Sequence, residues 1–128
     1  MQEENAATAP ATRALKWVVT AIAVVMSAYH MYVAGFGPPE AVIFRGTHLM
    51  FALALCFLIY GAKAGVIRPL PTFLDYAWLA AGIGSVLYLF VNYEYVVTRI
   101  YYIDDLSWAD MIFGIVLIVV VTEATRRC

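Results

Sequence analysis

The chain has 128 residues, of which 64% are hydrophobic and 13% charged, with a formal net charge of −1. A soluble domain is about 45–50% apolar and about 25% charged, so a globule this small cannot bury the excess and lipid must solvate much of it. The slight negative charge excludes the basic footprint of a nucleic-acid-binding protein.

Residues 1–13, MQEENAATAPATR, place Glu3 and Glu4 ahead of any base. A secretory signal would begin with a basic region and carry a shorter apolar run. The segment therefore reads as a cytoplasmic N-terminal tail followed by a retained span. Span one is expected over residues 14–36. Arg13, Lys16 and Trp17 mark its start, and Tyr29, Tyr32 and Phe36 its far end, as interfacial aromatic belts do. Gly35, Gly37, Pro38 and Pro39 then break the helix.

Span two is expected over residues 43–62. At about 1.5 Å per residue this stretch covers roughly 30 Å, the thickness of a hydrocarbon core. Its head holds Arg45, Gly46, Thr47 and His48, and residues 49–62 are uncharged. Cys56 lies inside this span and Cys128 ends the chain, so the two thiols are expected at different depths and no disulfide is expected. The following loop carries Lys63, Arg68, Pro69 and Pro71. Span three is expected over residues 76–93. Its small residues Ala77, Ala81, Gly84 and Ser85 recur at helical spacing and mark a close-packing seam. Residues 94–110 mix charges with Tyr95, Tyr101, Tyr102 and Trp108 and read as an interfacial linker, partly helical. Span four is expected over residues 107–127, although only residues 111–122 are free of charge and breaks.

The expected fold is an all-α integral membrane protein in which residues 14–128 form a four-helix transmembrane domain. Arg13, Lys16, Lys63, Arg68, Arg126 and Arg127 then share one side. Glu40, Glu94, Asp104, Asp105 and Asp110 share the other, with Arg45 and Arg99 as its cations. The positive-inside rule puts both termini in the cytoplasm.

Two histidines are the sharpest chemical hint. His30 near the end of span one and His48 near the start of span two fall at matched depth, about 8–9 Å inside the outer edge. Such a pair either ligates a haem iron axially, as in the membrane anchor of a respiratory enzyme, or hydrogen-bonds at the interface. There is no phosphate loop, no nucleophile with a base and no catalytic carboxylate pair, so the chain does not read as an enzyme. Spans one to three hold no acid at mid-membrane, where proton-coupled carriers need one. A small homo-oligomeric channel or exporter is a further alternative. A chain with spans, a packing seam and no site reads best as part of a larger assembly.

Three runs point to a family. Phe44-Arg45-Gly46-Thr47-His48-Leu49, Tyr88-Leu89-Phe90-Val91-Asn92-Tyr93-Glu94 and Glu123-Ala124-Thr125-Arg126-Arg127 resemble the N-terminal part of fused TRAP permeases. These are tripartite ATP-independent periplasmic transporters, here of the TAXI branch. The resemblance covers about residues 13–127. It implies a bacterial inner-membrane symport system importing organic acids. In that system a large membrane subunit holds the sodium ions and substrate, an extracytoplasmic binding protein delivers the substrate, and the small membrane part is a scaffold. No cofactor is then expected in this chain. The small and large parts of this branch are commonly one polypeptide, so the chain is expected to be either a separately encoded subunit or a fragment. Candidate subunit-interface residues are Arg45, Thr47, His48, Ala77, Ala81, Gly84, Ser85, Tyr93, Glu94, Glu123 and Arg126.

Overall fold

In the computed structural model, which describes residues 2–63, 65–67, 70–100 and 103–128 with side chains from residue 10 onward, every regular element is a helix. In chain order they are α1 (Gln2–Phe36), α2 (Ala41–Ile59), α3 (Phe73–Val91), the short α4 (Tyr93–Thr98) and α5 (Trp108–Arg127). Four stretches are long and apolar enough to cross a membrane: Pro10–Phe36, Ala41–Ile59, Phe73–Val91 and Trp108–Arg127. The protein is therefore built as a multi-pass membrane bundle.

The helix ends depart from the expected spans for local reasons. α1 starts at Gln2, inside the expected tail of residues 1–13. Gly37, at φ +96°, closes α1 by donating its N–H to Val33 O at 2.9 Å. α2 stops at Ile59 and not at residue 62. There the chain turns into a loop in which Gly61 N–H donates to Val66 O at 2.7 Å and Tyr60 bridges Ile67. α3 begins at Phe73, earlier than residue 76, because the Asp75 carboxylate accepts from the Thr72 backbone N–H at 2.6 Å. α5 begins after Ser107, whose backbone N–H donates to Asp110 Oδ2 at 3.1 Å. Arg68, Tyr101 and Tyr102 lie outside the described residues.

α2 packs on α3 and α5, α3 packs on α5, and α1 packs on α2. The core is the seam where Leu53, Cys56 and Phe57 of α2 meet Val120 and Ala124 of α5, with Trp78, Leu79 and Ala81 of α3 against them. In lipid this contact gains little from hiding apolar surface, since hydrocarbon surrounds the helices anyway. Close packing has to hold it. Gly82 supplies that closeness: a Cβ there would lie 2.8 Å from Leu53 Cδ1 and 3.0 Å from Val120 Cγ1. Gly46 does the same between α2 and α3, where a Cβ would meet Phe90 Cε1 at 2.5 Å. α1 stands at the edge, with Trp17, Met31 and Phe36 each more than two-thirds exposed.

Candidate functional site

Alternating helix directions gather the polar side chains at two ends of the bundle. The start of the α1 span, the end of α2, the start of α3 and the end of α5 form a basic end. The α1–α2 turn, α4 and the start of α5 form an acidic end.

At the basic end Asp75 and Arg127 are the most deeply buried charges, 1% and 2% exposed. Arg127 Nη1 donates to Asp75 Oδ1. Its Nε donates to Glu123 Oε1 at 2.8 Å, and its guanidinium lies 5.1 Å above the Phe57 ring. Arg126 grips the same Glu123 through two bonds of 2.7 Å and donates to Ala62 O at 2.8 Å. Two carboxylates and two guanidiniums thus neutralise one another while joining α5 to α3, to α2 and to the loop between them. Buried charges persist only when paired and hydrogen-bonded in this way.

At the acidic end Asp110 is a hub. Its carboxylate accepts from Tyr88 OH at 2.7 Å, from Tyr95 OH at 2.9 Å and from its own helix cap. Arg99 Nη1 stands 3.8 Å away. The hub borders a cavity of about 170 Å³ between α3 and α5, lined also by Ser85, Phe113 and Gly114. Tyr93 lies outside the spans, and desolvation first and then the nearby Glu40 carboxylate raise its phenol above the ordinary value. Glu40 also caps α2, accepting from Val42 N–H at 2.7 Å.

His30 and His48, expected at matched depth, are in contact. His30 Nε2 and His48 Nδ1 lie 2.9 Å apart, with the rings nearly perpendicular. His30 Nδ1 is 2.7 Å from Met26 O and donates to it, so in the neutral pair His48 is the donor to His30. Axial ligation by both rings would set the nitrogens roughly 4 Å apart, on two metal–nitrogen bonds of about 2 Å. A direct hydrogen bond leaves no slot for iron and its macrocycle. This arrangement fits the interface-histidine reading and does not fit the bis-histidine haem reading.

The other expected residues are scattered. Thr47 Oγ1 donates to Ile43 O of its own helix at 2.8 Å, and Arg45 is exposed. Of that trio only His48 hydrogen-bonds another helix. On α3, Ser85 is buried and bonds Ala81 O, whereas Ala77 is exposed and Gly84 faces open space. The inward stripe keeps Ala81 and Ser85 of the expected set and runs otherwise through Asp75, Trp78, Gly82 and Val86. Glu94 is exposed, and its backbone carbonyl accepts from Thr98 Oγ1 at 2.6 Å.

The cysteines correct the expectation that the two thiols lie at different depths, although both are free. Cys56 Sγ and Cys128 Sγ are 2.8 Å apart. Because α2 ends at Ile59, Cys56 sits in its last turn and at the same end as the close of α5. Asp75, Tyr88, Asp110 and Arg127 were absent from the expected set. The signals that could have found them were the Thr72-x-x-Asp75 and Ser107-x-x-Asp110 cap patterns. Among the described residues no group of three His, Cys, Asp or Glu converges on a metal position. No family model, curated protein or solved structure matches the chain.

Proposed function

We propose that the chain is the small scaffold subunit of a sodium-driven TRAP-type importer of organic acids, embedded in a bacterial inner membrane with its basic end cytoplasmic. The large subunit carries the sodium and substrate sites, and an extracytoplasmic binding protein supplies the substrate. The observation that carries this reading is how the bundle uses its buried charge. Asp75 and Arg127 are consumed in a neutral lock between helices, which is bracing chemistry. An edge helix with a broad exposed apolar face adds a surface that lipid or a larger membrane partner can cover. The resemblance of the three sequence runs to fused TRAP permeases supports the choice of family.

The test is expression of the chain together with the reading frames beside its gene. A large permease should co-purify with it, and sodium-dependent solute uptake in proteoliposomes should need both chains and the binding protein. Arg45→Ala, at an exposed cation of the acidic end, should lower recovery of the complex several-fold with little change in substrate affinity. Solute flux through liposomes that hold this chain alone would overturn the proposal, as would purification without any permease partner.

A further inference from the structure

We propose that Cys56 and Cys128 form a reversible disulfide, which makes the basic end of the bundle a site of covalent redox modification. Their sulfurs lie 2.8 Å apart across a sequence separation of 72. Cys128 is exposed and Cys56 buried. That division suits two-step exchange, in which an accessible thiol meets the reagent and a shielded one resolves it.

Contacts independent of the sulfurs hold the pair together. Arg127 is locked to Asp75 and Glu123. Arg126 Nη2 donates to Ala62 O at 2.8 Å, and Gly65 N–H donates to Arg127 O at 2.8 Å. The last turn of α5 is thereby fixed against α3 and against the loop that leaves α2, and the folded chain presents the thiols to each other at high effective concentration.

The oxidant is a small-molecule disulfide of the glutathione type. The Cys128 thiolate attacks one of its sulfurs, and the first glutathione leaves as a thiolate that takes up the proton Cys128 lost. Cys56 then gives up its proton as its sulfur attacks Cys128 Sγ, and the second glutathione leaves and is protonated. Two protein thiols and one small disulfide become one protein disulfide and two small thiols, with no other electron acceptor. The product bolts α5 to α2 covalently, where the reduced chain relies on ionic and backbone contacts. This inference does not depend on the transporter reading.

The experiment equilibrates the full chain, in detergent or liposomes, with glutathione redox buffers, followed by alkylation and mass spectrometry of cleaved peptides. The expected product is a monomer two hydrogens lighter than the reduced chain, with the peptides holding residues 56 and 128 linked. Its equilibrium constant should exceed that of the chain unfolded in urea and SDS by about tenfold or more, because folding has already closed the loop. Oxidation should also raise the melting temperature. Cys56→Ser should halt at a glutathione adduct on Cys128, and Cys128→Ser should leave Cys56 unmodified. Arg126→Ala, which touches neither thiol, should move the native equilibrium constant toward the unfolded one. A folded wild-type chain that keeps both thiols, stops at the adduct, or links only into dimers overturns the proposal.

Discussion

Arg127 is the side chain on which most of the basic end depends, because three elements meet at its guanidinium. Arg127→Ala leaves Asp75 as an unpaired carboxylate at 1% exposure. Breaking a buried pair in this way costs about 3–5 kcal/mol. Removing Asp75 as well should recover much of that loss, since no uncompensated charge then stays behind. Denaturation in mixed micelles of the two single variants and the double variant measures this coupling, and strictly additive losses would show that the pair is not coupled. Tyr93 offers a pH-dependent counterpart. Its folded phenol is raised, so the fold favours the neutral form. The contribution is complete below the ordinary phenol value of about 10 and is lost as pH rises through the folded value. The alkaline absorbance titration of wild type minus Tyr93→Phe should therefore show a midpoint above the ordinary one. Asp75 and Arg127 were visible in the sequence as charges beside apolar runs. Nothing in a linear pattern says that a carboxylate after a proline-rich loop enters the first turn of a helix and meets an arginine 52 positions on.

At the scale of elements, the decisive contact is the passage of α2 and α5 over α3. Gly82→Ala places a methyl 2.8 Å from Leu53 Cδ1 and 3.0 Å from Val120 Cγ1. Both neighbours are core residues with little room to give, so a loss of about 1–3 kcal/mol is expected. Gly84→Ala meets nothing within 4 Å. It should be neutral, or stabilise by about 0.5–1 kcal/mol through helix propensity. The difference between these two variants in melting temperature tests the packing directly, and equal effects would refute it. Asp110→Ala should cost about 1–3 kcal/mol, because it removes one half of the α5 capping box and strands the Tyr88 hydroxyl, while Tyr95 keeps Asp105 O as an acceptor. The sequence announced a small-residue stripe on α3 but put Gly84 on it. Counting small residues at helical spacing gives the existence of a close face, and only the neighbours α2 and α5 say which glycine occupies it.

For the whole molecule, the up-and-down arrangement puts the first and last described residues at one end of the bundle. Reporter fusions or membrane-impermeant labels at the two termini should give the same side, and opposite sides would break the four-span topology. α1 is the loosest part of the assembly, since it packs on α2 alone. Hydrogen exchange in its backbone should be faster than in α3, by the difference between a subglobal opening and a core helix. If a larger membrane partner covers α1, exchange there should slow when the partner is bound.

Composition and the lengths of the apolar runs were enough to determine that the chain forms four helices long and apolar enough to cross a membrane, and roughly where they turn. A helix in lipid must satisfy its own backbone and match the bilayer, and both demands are local. The sequence also placed His30 and His48 at matched depth, because depth along two consecutive antiparallel helices can be counted in residues; that their rings meet is the work of the packing. Which helix faces meet could not be counted this way. The Asp75–Arg127 lock, the Asp110 hub and the apposition of Cys56 with Cys128 each join residues on non-consecutive helices or across a loop whose end had to be known. Such contacts depend on the rotation and approach of whole helices, and side-chain packing among α2, α3 and α5 sets these together.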